Sequence, residues 1–311
     1  MQELNLSNSS CTEVRGPRAF FSDMARGALM GVAFIIPGFS GGSVAAILGI
    51  YEKLICAIAD IFKNFKKSVI TLLPILLGLA CGVIALLFPL GWALESYPIP
   101  TVCLFVGLAL GGLPPITEKL DGSFKPHNLL SFAIPALVAV GLCFLPIADD
   151  VNLLTLEPLG YLTLVIIGII GAAALVVPGI SGSMLLLILG YYNPIVNILT
   201  DHLLKGKDIL CSLLVLGFTA LGICVGFIGI SVIMKVLLTR WTYGTYLAII
   251  GFIVGSIPTV FVSTAKEAGI TAASVPSAPV FWIACVLLLA LGLALSLSLV
   301  IFAKRNQTKA H

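Results

Sequence analysis

The sequence predicts an all-α integral membrane protein made of two inverted repeats, each a re-entrant helical hairpin followed by three transmembrane helices. Three observations carry this: long charge-free stretches, an internal repeat of a Pro-Gly-x-Ser-Gly motif, and the placement of Lys and Arg along the chain.

Of the 311 residues, 59% are hydrophobic and 10% charged, against about 25% charged in a soluble domain. Residues 68–94, 96–117, 128–148, 158–200, 209–234 and 270–303 contain no Asp, Glu, Lys or Arg. A helix needs ~20 such residues to span the hydrocarbon. The first 23 residues are polar and lack the apolar core of a secretory signal. They read as a short cytoplasmic tail.

The motif Pro37-Gly38-Phe39-Ser40-Gly41-Gly42-Ser43 returns 141 residues later as Pro178-Gly179-Ile180-Ser181-Gly182-Ser183. The same shift carries Ile47-Leu48-Gly49 onto Ile188-Leu189-Gly190 and Tyr51 onto Tyr192. Gly107, Gly111 and Pro114 match Gly251, Gly255 and Pro258 at a shift of 144. Two correlated matches at nearly constant spacing mark a duplication. The predicted units are a tail at 1–23, repeat 1 at 24–150, repeat 2 at 151–303 and a cytoplasmic tail at 304–311.

Each repeat begins with an apolar arm entering the motif, 24–36 or 159–177. A second arm, 43–62 or 183–200, leaves it. Proline, serine and several glycines within seven residues break a helix, so Pro37, Gly38, Pro178 and Gly179 are the predicted hairpin breaks. Such breaks are tolerated at membrane depth only when buried in protein or lining a wet cavity. Three spans complete each half: 68–94, 99–117 and 128–148, then 209–234, 243–263 and 279–303. The arm 159–177 is also long enough to cross alone.

Counting Lys and Arg decides between re-entry and crossing. With both hairpins re-entrant and the N-terminus inside, the cytoplasmic face holds 14 of these cations and the outer face three (Lys205, Lys207 and Lys266). If each broken segment crosses, the split becomes 8 to 8 with Lys53 unassigned. The positive-inside rule selects re-entry. A hairpin plus three spans is an odd number of crossings, so the second repeat is inverted. From Ser40 to Glu52 is ~18 Å of helix at 1.5 Å per residue, enough for both tips to reach the midplane.

Ser40, Gly41, Gly42 and Ser43, with Ser181, Gly182 and Ser183, are the candidate phosphate-binding residues. Helix N-termini present unpaired N–H groups and a positive dipole end, glycine permits close approach, and serine adds donors. The alternative is that serine caps and glycine packs. Arg26 either greets an anionic headgroup or anchors the chain at the inner surface. Glu52 and Lys53 form an interfacial pair or act in coupling. A lipid tail would need a groove along 44–50 and 184–189. None of the eight cysteines forms a CxxC pair, and the three histidines lack ligand spacing. No metal, cofactor or catalytic residue is expected, and nothing points to nucleic acid.

The stretches GVAFIIPGFSGGSVAAILGIYEKLI and GAAALVVPGISGSMLLLILGYY resemble the bacterial polyprenyl-phosphate transporter family, over about 26–302. The matching positions are Pro37, Gly38, Ser40, Gly41, Gly42, Gly49, Tyr51, Glu52, Pro178, Gly179, Ser181, Gly182 and Ser183. The resemblance implies a non-enzymatic flippase in the bacterial cytoplasmic membrane, both termini inside. Its partner would be undecaprenyl phosphate, returned from the outer to the inner leaflet for cell-envelope synthesis. Three positions depart from the family pattern: Ser43 replaces threonine, Phe34 replaces a polar residue, and Asn193 stands where the first half has Glu52. A transporter of a small soluble anion is the competing expectation. Oligomeric state has no signal in the sequence.

Overall fold

The computed structural model describes residues 16–35, 41–120, 128–154, 156–203, 205–206, 208–270 and 278–308, and no strand occurs among them. The first half holds α1 (Pro17–Ile35), α2 (Gly41–Ile47), α3 (Tyr51–Ala59), α4 (Phe65–Ser96), α5 (Pro98–Gly111), α6 (Pro114–Thr117) and α7 (Asn128–Gly141). The second holds α8 (Pro158–Val176), α9 (Gly182–Ile188), α10 (Tyr192–Asn197), α11 (Ile209–Arg240), α12 (Thr242–Glu267) and α13 (Pro279–Thr308). Among the described residues, six helices are long and apolar enough to cross a membrane, α8 included. The protein is a multi-pass membrane protein.

Two boundaries differ from the sequence reading. Helix α1 begins at Pro17, inside the predicted tail; proline suits a first helical position because its missing N–H has no partner there anyway. The second arms, expected to be continuous, each bend sharply. Helices α2 and α3 meet at 118°, and α9 and the turn beginning at Tyr192 meet at 107°. At each bend a glycine holds a left-handed backbone, Gly49 at φ +70° and Gly190 at φ +76°. That conformation costs an L side chain roughly 1–2 kcal/mol, so the repeated Ile-Leu-Gly is a turn signal rather than mid-helix sequence.

Apolar helices gain little from burying against one another in lipid, so close backbone contact through small residues must hold them. The glycines show where. A β-carbon on Gly27 or Gly31 would strike the backbone of Ile75 or Leu79, and one on Gly78 or Gly82 the backbone of Met24 or Ala28. Contacts advance by four residues on both helices at once, so α1 and α4 pack in parallel. The equivalent glycines of the second half, Gly168, Gly222 and Gly226, clasp α8 and α11 the same way, through Thr219, Val165 and Ile169.

The remaining pairs cross between halves. Gly107 and Gly111 of α5 rest on Leu289 and Leu293 of α13, while Gly251 and Gly255 of α12 rest on Phe132 and Ala136 of α7. These are the glycines matched by the sequence repeat; α7, expected as a full span over 128–148, is a shorter apolar helix and is not among the six long enough to cross. Helices α5 and α12 are the most enclosed, with 61% and 56% of their spans buried, against 17% for α13 and 22% for α11. The apolar faces of α11 and α13 are thereby left to lipid.

Candidate functional site

The expected break residues Pro37 and Gly38, and the candidate phosphate-binding Ser40, lie outside the described residues. The described part of the first motif, Gly41 to Ser43, is firmly seated. Gly41, Gly42 and Ser43 open α2 and are buried. A β-carbon on Gly42 would sit 3.1 Å from the carbonyl oxygens of both Leu175 and Val176, and 3.4 Å from the Cα of Pro178. The buried Tyr51 hydroxyl, from the start of α3, donates to the Val176 carbonyl at 3.0 Å. Gly42 and Tyr51 therefore rest directly on the entrance to the second motif.

Within the second motif, Pro178 and Gly179 are buried. Gly179 takes φ +88°, and any β-carbon there would collide with the backbone of Phe252 on α12. Ser181 is buried and caps α9, its Oγ accepting from Met184 N–H at 3.4 Å. The Ser181 and Ser183 hydroxyls are 3.1 Å apart, and Ser183 is exposed. Ser43 differs: it is 2% exposed, and its Oγ has no hydrogen-bond partner among the described residues. A buried hydroxyl left unsatisfied carries a desolvation cost of about 1–3 kcal/mol.

Helices α2 and α9 have seven residues each, shorter than the arms read from sequence. Few aligned peptide units contribute to such a terminus, so the hydroxyls and the close approach that glycine permits are the main resources of the tips.

The ionisable candidates gather elsewhere. Lys53 pairs with Asp23 of α1, and Arg26 lies 3.9 Å from the same carboxylate. Asp23 is buried at 3% exposure. Glu52 pairs with Lys119, and Asp60, just past α3, pairs with Lys235 of α11. Glu52 and Lys53 thus bond to different partners. Asp23 escaped the sequence reading because it fell at the edge of the assigned tail; its spacing of three from Arg26 on a helix was the available clue.

Along the expected groove of 44–50 and 184–189, residues 184–189 are half-exposed. Ala45, Ala46 and Ile47 belong to the core. A cavity of about 1070 Å³ opens between α7, α11 and α12. Its floor is Val177, Pro178 and Ile180 of the second motif, its walls include Ile134, Leu237 and Phe252, and Arg240, Trp241 and Tyr243 lie at its far end. The sequence marked Arg240 only as one cytoplasmic cation among many.

The chain has relatives by sequence. Residues 30–275 match the family described as undecaprenyl phosphate translocase-like. The chain belongs to that family. A polyprenyl-phosphate transporter of Vibrio cholerae serotype O1 is 27% identical over 256 residues, covering 78% of each chain. One of Staphylococcus aureus is 30% identical over 284 residues, covering 89% of this chain and 95% of its own. No solved structure matches significantly. The translocase-like match takes in both motifs, both bends and the walls of the cavity, and stops before α13. Where the two halves diverge at Glu52 and Asn193, local partners diverge too: Asn193 donates to the Asp150 carboxylate at 3.3 and 3.4 Å.

Proposed function

We propose that this protein transports a polyprenyl phosphate, undecaprenyl phosphate above all, from the outer to the inner leaflet of a bacterial cytoplasmic membrane, for reuse in envelope synthesis. The relatives from Vibrio cholerae and Staphylococcus aureus are both named polyprenyl-phosphate transporters. The observation that carries the reading is the seating of Gly42 on Leu175, Val176 and Pro178 beside the unpartnered, buried Ser43 hydroxyl. The glycine- and serine-rich start of α2, set against the second motif inside an apolar bundle, is suited to hold one phosphate. Ser40, Gly41, Gly42, Ser43, Ser181, Gly182 and Ser183 are assigned that role.

We infer further that the repeats, 24–150 and 151–303, are inverted. Helices α4 and α5 are joined through Tyr97 alone, and α11 and α12 through Trp241 alone, so each of these pairs reverses direction across the membrane. With α7 taken to run opposite to α5, the parallel pairs make α1 and α8 run oppositely, and both termini fall on one face, assigned as cytoplasmic by the charge count. The bends support this. The Gly49 bend lies by Gly112 and Lys119, where Gly112 abuts Ile47. The Gly190 bend accepts from Val151 N–H at 3.0 Å, beyond the opposite end of α7.

The test is transport of labelled undecaprenyl phosphate in proteoliposomes, with undecaprenol and inorganic phosphate as competitors. Uptake inhibited by inorganic phosphate as strongly as by unlabelled lipid would favour the soluble-anion reading.

A further inference from the structure

The cavity between α7, α11 and α12 has one end built for an anion and walls built for a hydrocarbon. Arg240 is the only charged residue lining it among the described residues, and Arg240 forms no ion pair among them. Lys235, five positions earlier on α11, is by contrast tied to Asp60. Asn128 lies in the same lining at 9% exposure. It is also the first residue of α7, a helix of 14 residues, while Thr242 of the lining opens α12, of 26 residues.

These two N-termini lie at the same end, because α7 and α12 run parallel with Gly244 beside Ser131. Neither first turn contains an acidic residue, and no side chain caps α12. Two positive helix ends, a guanidinium and a buried amide together favour an oxyanion. The serine and threonine hydroxyls nearby are partly engaged: Thr245 donates to the Trp241 carbonyl at 2.8 Å and Thr242 to the Leu238 carbonyl at 2.8 Å. Trp241 and Tyr243 at this end match the aromatic residues found at headgroup level. Beyond them the walls are apolar down to Pro178 and Ile180. The volume is at the upper end of ordinary ligand pockets.

We propose that this cavity is a second lipid-phosphate station, distinct from the paired motifs. Arg240 and Asn128 hold the phosphate, and the prenyl chain lies along Ile134, Leu237 and Phe252 toward the second motif. The proposal rests on the lipid-phosphate reading of the paired motifs. It gives the headgroup a resting place at the face where α11 ends, after or before it passes the serines.

The experiment measures binding of undecaprenyl phosphate, undecaprenol and inorganic phosphate to the full chain in nanodiscs. R240Q and N128A are each expected to weaken undecaprenyl phosphate binding at least about tenfold, the size of a hydrogen bond to a charged group, with undecaprenol binding unchanged. R240K should recover most of the loss. Wild-type protein treated with a polyprenyl phosphate bearing a photoreactive group on its first isoprene units should be labelled in 128–135 or 237–252, a readout independent of variant folding. Unaltered affinity in R240Q, or labelling confined to other segments, overturns the second station while leaving the transporter reading standing. Equal binding of inorganic phosphate overturns its lipid character, and a wild-type protein that binds no polyprenyl phosphate overturns both readings.

Discussion

Ser43 and Tyr51 sit on the same contact between the halves and do different work. The Tyr51 hydroxyl satisfies the Val176 carbonyl, so Tyr51→Phe leaves a buried acceptor bare. A loss of about 1–3 kcal/mol is expected, visible as a lower melting temperature in detergent, with lipid affinity changed little. Ser43 has no such bond to lose. Ser43→Ala combined with Ser181→Ala is expected to keep most of the stability, apart from the cost of the α9 cap, about 1 kcal/mol. Its binding of undecaprenyl phosphate should fall at least about tenfold. Unchanged affinity in that double variant would reduce both serines to packing and capping.

At the scale of elements, the decisive device is α3, clipped on three sides by Lys53 to Asp23, Glu52 to Lys119, and Asp60 to Lys235. Removing one partner of a buried pair leaves an uncompensated charge, at a cost of about 3–5 kcal/mol, whereas removing both is far milder. Asp23→Ala should therefore destabilise the protein more than the double variant Asp23→Ala with Lys53→Met, by thermal unfolding of the purified protein. If the single variant is the more stable, the pair is not holding α3. The bends make a second test. Gly49→Ala and Gly190→Ala place a β-carbon on a left-handed backbone; Gly49→Ala should cost roughly 1–2 kcal/mol, and Gly190→Ala more, because its β-carbon would also collide with the Asp149 carbonyl oxygen. Space is not the obstacle at Gly49, where a β-carbon would meet nothing, so that variant isolates the backbone term.

For the whole molecule, inversion predicts a labelling pattern. Leu153 is buried at 2% exposure, but Leu154 and Phe65 are exposed at 43% and 66%, so these two are the useful probes. With the native cysteines replaced, Phe65→Cys should react with a membrane-impermeant maleimide only from the cytoplasm, and Leu154→Cys only from outside. Reaction of both from one side would rule out inverted repeats. The cross-half pairs α5 with α13 and α7 with α12 also predict that the halves do not fold separately. Expressed alone, either half should be degraded; together they should reassemble into protein that binds lipid.

By itself the sequence determined the membrane class and showed the repeated motif and glycine pattern. These are local properties: a charge-free run of sufficient length must span, and a cluster of Pro, Gly and Ser cannot stay helical wherever the chain goes. The matched glycines at 107, 111, 251 and 255 were legible as packing residues but not their partners. In lipid no gradient of hydrophobicity tells one apolar helix which other to choose, and the choice falls to backbone fit between segments far apart in sequence. Only the tertiary structure decided that α5 seeks α13, that Asp23 is a buried counter-ion, and that Gly49 and Gly190 turn the chain. It alone turned Arg240 from a flanking charge into the end of a cavity. Such a cavity is a property of three helices at once, and no window of the sequence contains it.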